Sequence, residues 1–145
     1  MKLAPIECPA AALPVIVVLP PETPVSTVLR AARDLISVPE RWTKWGYGFK
    51  EKPVNEEDAG EMASSKLTEA TCFCSLGAIG AILGAERGFT EHSRAELMLE
   101  PAWTDATGEV ASFNDHPMTT HADVLRMFNR AIRHAEAWEA LALTH

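Results

Sequence analysis

Three side chains in this sequence could do chemistry together: the thiol of Cys74, the imidazole of His121 and the amide of Asn114. A cysteine nucleophile needs a base to make thiolate and a third group to orient that base. His121 fits the base, with His116 an equal substitute, and Asn114 or the adjacent Asp115 fits the orienting group. Such a set would serve a thiol-dependent hydrolase or transferase. The surroundings of Cys74 argue otherwise. It lies in ATCFCSLGAIGAILGA, residues 70–85, which reads as helix. A thiol a turn or more inside a helix escapes the N-terminal field that would acidify it. Burial among Gly and Ala raises its pKa instead. The preferred reading is a small core residue, and no catalytic residue is assigned.

A metal is no better served. Cys72 and Cys74 with His92, His116 or His121 would supply four ligands, but one intervening residue matches no standard zinc spacing. On a helix, residues two apart diverge by about 200°. No metal or cofactor is expected. Gly77-x-x-Gly80 is too short for a phosphate loop.

Binding is the stronger chemistry. Trp42, Trp45 and Tyr47 could form aromatic walls, with Asn114, Asp115 and Thr120 as a polar floor, the composition that small-ligand sites use. Plainer roles compete: Asn and Asp fold turns, Thr caps helices, and tryptophans fill cores. With Phe49, Arg41 and Lys44, the same segment has the residue types of a protein hot spot. The acidic run at 51–61 beside it, expected as a solvated loop, would steer a basic partner.

The elements that must position these residues are mostly helical. Pro14–Leu19 is β-branched and proline-bounded, an edge strand or an arm lying on the domain. Thr23 reads as an N-cap with Pro24 at the first helical position, opening a helix that stops near Ser37 ahead of Pro39. A long connection spans 39–63. A second helix is expected from Ser65 or Thr68 to about Ala85. Its glycines are costly, which fits a buried helix approached closely along Gly77, Ala81 and Gly84. Ser93 and Glu96 form a capping box for a short helix ending near Leu99. Trp103–Gly108 reads as a turn, Val110–Phe113 as a brief extended segment and Asn114–Pro117 as another turn. Thr120 caps a last helix, from His121 to about Leu143, with Val124, Leu125, Phe128, Ala131, Ile132, Ala135 and Trp138 on its apolar face.

The expected fold class is therefore mainly α: about four helices around a central Gly/Ala-rich helix, with one or two short extended segments. Residues 1–22 form a Pro-rich arm or edge strand and 23–145 a single helical domain. Length supports one domain, at 145 residues. A formal charge of −7 argues against nucleic-acid and membrane partners. No span reaches the roughly 20 residues a membrane crossing needs. Three cysteines make no disulfide framework, so a reducing cytoplasm is the natural setting. A protein or small-ligand partner is expected; the sequence does not fix its identity or the oligomeric state.

Val28–Ile36 leading to Trp42, the Cys74-x-x-Gly77-Ala78 segment, and Phe113-Asn114-Asp115 running through Thr120-His121 to Ala131-Ile132 together resemble the DUF6197 family. Its members are small uncharacterised proteins of actinobacteria and phages. The resemblance covers roughly residues 25–135. It implies the helical fold and, through the phage association, a modulator of a host or defence complex; it implies no activity. Family members commonly carry Arg before the Thr that caps the last helix, where this chain has Thr119. A family ligand read by that Arg would not be read here.

Overall fold

Glycine and alanine make a thin helix, and a thin helix lets other backbone come close. In the computed structural model, which describes residues 13–87, 93–102 and 109–144, the segment Ser75–Ile82 is such a helix (α3), and every one of its residues is buried. A Cβ added at Gly77 would stand 1.8 Å from the carbonyl oxygen of Tyr47, so only glycine fits there. Around α3 pack α1 (Val25–Leu35), α4 (Arg94–Met98) and α5 (Val110–Asp115). The last and longest helix, α6 (His121–Leu143), lies against α1 and α4. The protein is mainly helical, and its central element is the Gly/Ala-rich helix, as the sequence implies.

That helix is shorter than its apolar run. It begins at Ser75, not near Ser65 or Thr68. Leu67–Glu69 is a single 3₁₀ turn. Cys72–Phe73 (β2) pairs antiparallel with Gly48–Phe49 (β1), Gly48 opposite Phe73 and Phe49 opposite Cys72. Backbone bonds from Thr71 to Phe49 O and from Cys74 to Tyr47 O extend that pairing. A partner segment 25 residues away therefore overrides a helical reading of 70–74. The far end also differs. Gly84 sits at φ +81°, outside the helix. Gly84 N donates to Ala81 O and Ala85 N to Gly80 O, the paired bonds that close a helix through a left-handed glycine. Gly84 is a terminator and not part of a packing stripe.

α1 is not capped by Thr23. Pro24 holds the N-cap position and no side chain of its own segment caps the helix. The carboxylate of Glu139, from α6, accepts from Ser26 N at 3.3 Å and Ser26 Oγ at 2.5 Å. It places negative charge where the helix dipole favours it.

α6 opens as its sequence predicts. Thr120 accepts from Asp123 N, and Asp123 returns the bond to Thr120 N. Val124, Phe128, Ala131, Ile132 and Ala135 are buried, together with Met127. Leu125 is only half-buried, and Trp138, expected on the core face, is 67% exposed. α1 reaches as far along α6 as Glu139, which Ser26 bonds, yet Ala135 is the last residue of α6 that the core buries.

Two segments expected to be irregular are helical. Asn55 caps α2 (Glu56–Met62) by accepting from Asp58 N, and Glu56, Glu57 and Asp58 occupy its first turn, where acids are favoured. Val110–Asp115 is helix and not an extended segment followed by a turn, because packing on α3 buries Phe113 and Asn114. The chain turns one residue later, with Thr119 N bonded to His116 O. At α4, Ser93 accepts from Glu96 N, the first half of the capping box expected there. Residues 14–19 form no strand; Leu19 N bonds Ile82 O, and Ile16 and Leu19 pack against the core. The expectations for residues 1–12, Gly88, His92 and Trp103–Gly108 fall outside the described residues.

Candidate functional site

The aromatic segment 42–49 is drawn to the end of α5 by side-chain hydrogen bonds. Trp42 Nε1 donates to Asn114 Oδ1 at 2.9 Å, and Ser75 donates to the same oxygen twice, from N at 3.1 Å and from Oγ at 2.7 Å. Asn114 Nδ2 donates to Thr43 O at 3.0 Å and Asp115 Oδ1 at 2.9 Å. Asn114 is 1% exposed, so both of its polar atoms are spent joining α3, α5 and the aromatic segment. It also caps α3 from outside, since Ser75 is that helix's first residue. Asp115 Oδ1 accepts from Trp45 N at 2.9 Å. That bond holds Trp45 at φ +70°, a left-handed conformation costly for a residue with a Cβ. Lys44 Nζ donates to His116 O at 2.6 Å. Burial lowers the Lys44 pKa, and the Asp115 carboxylate partly offsets this.

Trp42 is buried under cationic cover. Lys44 and Lys52 lie 5.7 and 5.8 Å from its ring centroid, and the His121 ring is 5.7 Å away. Trp45 and Tyr47 stay half-buried, and Phe49 is buried. Burial, then nearby Cys74, Glu96 and Asp115, push the Tyr47 phenol up. Thr120 is occupied by its capping box. The structure thus brings Trp42, Trp45, Asn114 and Asp115 into one corner, and spends the indole N–H of Trp42 and the amide of Asn114 on holding it together.

Cys74 is the N-cap of α3 and not an interior helical residue, which corrects the position expected from the sequence. Its Sγ accepts from Gly77 N at 3.3 Å. A helix start would favour thiolate, yet burial dominates and pushes the thiol from 9.0 up to about 12, with Asp115 adding to the rise and the Gly77 N–H opposing it. The thiol is protonated at neutral pH. His121 does not serve it: its Nε2 lies 2.6 Å from Ile36 O and so carries the proton it donates there. Asn114 is engaged with Trp42 and Ser75. Cys72 is buried in β2 and its thiol is also pushed up by burial. No group of three or more His, Cys, Asp or Glu among the described residues is placed to hold a metal ion. Within those residues no helix is long and apolar enough to cross a membrane.

An open site lies elsewhere. A cleft of about 1060 Å³ runs between the start of α1, α4 and the end of α6. Val25 and Val28 form one wall, Ala95, Leu97 and Met98 another, and Ala135, Trp138 and Ala142 the third. Leu97 and Trp138 at its lips are each 67% exposed. Glu22, Arg94 and Glu139 supply its charges. Sequence reasoning missed this cleft. One signal could have found part of it: helical spacing sets Leu97 on the opposite side of α4 from Ala95.

A family model described as a family of unknown function, DUF6197, matches residues 20–134. Neither a curated protein nor a solved structure matches the chain.

Proposed function

Because this chain belongs to the DUF6197 family, whose description assigns no activity, we propose its function from geometry: it is a non-enzymatic binding module that works through the cleft between α1, α4 and α6. One observation carries this reading. Three apolar walls enclose a cleft of about 1060 Å³ whose lips expose Leu97 and Trp138. Large exposed apolar residues gathered at one place mark interaction sites, and tryptophan is enriched among residues that dominate binding energy. The thiol reading has no comparable support, since Cys74 is sealed and protonated. Modulation of a host or defence complex by docking would use such a surface.

Nile red, a neutral dye that brightens in apolar sites, tests the reading. It is expected to bind the folded protein, and Leu97→Ser with Trp138→Ser is expected to weaken binding about tenfold. Val15→Ser, at a residue 93% exposed and outside the cleft, should leave binding unchanged. Equal binding by the double variant and the parent overturns the reading.

A further inference from the structure

We infer that the surface over Trp42 binds a phosphate-type oxyanion through Lys44 and Lys52, at a site separate from the cleft. Charge is the first argument. Four lysines lie among the described residues. Two of them meet carboxylates: Lys50 pairs with Glu69 at 3.6 Å, and Lys66 with Glu86 at 3.3 Å. Lys44 and Lys52 form no ion pair, in a chain with 20 acids to 13 bases. They gather instead on one ring, with Nζ 5.7 and 5.8 Å from the Trp42 centroid. Glu40 and Glu51, their neighbours in the chain, are exposed and pair with neither. Asp115 acts on Lys44 from farther off, and its Oδ1 already accepts from Trp45 N and Asn114 Nδ2.

The two ammonium groups are set in place before any ligand arrives. Lys44 Nζ donates to His116 O at 2.6 Å, and Lys52 Nζ to Pro39 O at 2.7 Å. An ammonium has three donors, so each keeps two for ligand oxygens. Side chains already held by protein bonds lose little further freedom on binding.

The surroundings favour an anion. Burial lowers the Lys44 pKa, with Asp115 opposing, so the charged form lacks part of its hydration. Trp42, 8% exposed, backs the lysines with apolar surface, where charges attract more strongly than in open water. A bound anion would offset both the lost hydration and the repulsion between the two cations. Lysine serves phosphate as a compact point charge, and two of them match the charge of about −2 on a phosphate group near neutral pH.

Inorganic phosphate is the probe. Calorimetric titration of the full chain at pH 7, with sodium chloride holding ionic strength constant, is expected to show saturable one-to-one binding. Lys44→Gln with Lys52→Gln should weaken it about tenfold or more, as loss of charged contacts does. Lys50→Gln with Lys66→Gln removes the same formal charge from ion-paired positions and should change it less than about twofold. Lys52→Gln alone, at an exposed side chain, should weaken binding severalfold at an unchanged melting temperature, which keeps the test decisive if the double variant unfolds. Leu97→Ser with Trp138→Ser, at the lips of the cleft, should leave phosphate binding intact. Heats no different from those of chloride overturn the proposal. So does binding that ignores Lys52→Gln. Equal weakening by the Lys50 and Lys66 pair also overturns it, because that is attraction to net charge alone. Glycerol phosphate separates the sources: tighter binding of the ester assigns a phosphorylated small molecule, and tighter binding of inorganic phosphate assigns the free anion.

Discussion

At the scale of single residues, burial decides what polar groups can do. Cys74 has the type and the helix-start position of a reactive thiol, yet desolvation outweighs the amide that Sγ accepts from, and the proton stays on. Iodoacetamide at pH 7 is expected to leave Cys72 and Cys74 unlabelled until the protein is denatured, as read by peptide mass spectrometry. Fast native labelling of Cys74 would reopen the thiol chemistry. The same shift gives stability a pH dependence. The unfolded thiol loses its proton near 9.0 and the folded one near about 12. Between those values the folded state binds more protons, so stability falls as pH rises through that window. Cys74→Ser removes the titrating group and should flatten the decline in urea melts; what persists reports Cys72 and Tyr47, whose pKa values are raised too, opposed by Lys44, whose lowered pKa acts with the opposite sign. Asn114 shows the complementary case, a buried polar side chain whose every bond is structural. Asn114→Ala would strand Trp42 Nε1 and both Ser75 donors. At about 1–3 kcal/mol for each buried orphan, chemical denaturation should register a loss of roughly 3–5 kcal/mol, with partial relaxation holding it below the simple total.

At the scale of elements, α3 explains why a costly composition was kept. Gly77 is present because Tyr47 backbone occupies the space its Cβ would need. Gly77→Ala must displace backbone, and a cost of about 3 kcal/mol or more is expected from overpacking. Gly60 in α2 has nothing within 4 Å of an added Cβ. Gly60→Ala should stabilise by about 1 kcal/mol through helix propensity alone. Thermal melts of the two variants, moving in opposite directions, separate close approach from propensity. α6 and α4 were legible in advance because their caps are local: Thr120 with Asp123, and Ser93 with Glu96, signal their own helix starts. α5 and the start of α3 were not. Their conformations answer to segments distant in sequence, β1 for residues 72–73 and α3 for 110–115.

For the whole molecule, the core ends before α6 does, with Ala135 its last buried residue. That leaves Trp138 at the lip of a cleft where a fully covered helix would have buried it. Trp138→Ser should therefore leave the melting temperature nearly unchanged, since a side chain 67% exposed contributes little to the fold. It should still lower Nile red affinity. A large drop in melting temperature would mean that Trp138 supports the core, and the binding reading would lose its main residue.

The sequence by itself determined the mainly helical class, the buried Gly/Ala segment, the capping of α4 and α6, and the family resemblance that the match over 20–134 supports. These follow from local propensity and periodicity, which operate within one or two turns. Only the tertiary structure decided that Cys74 begins its helix, that Asn114 is consumed by Trp42 and Ser75, and that the open surface lies at Leu97 and Trp138. Each of those depends on which distant segment arrives at a given face, and local spacing, which can set Leu97 opposite Ala95 on α4, does not encode that arrival.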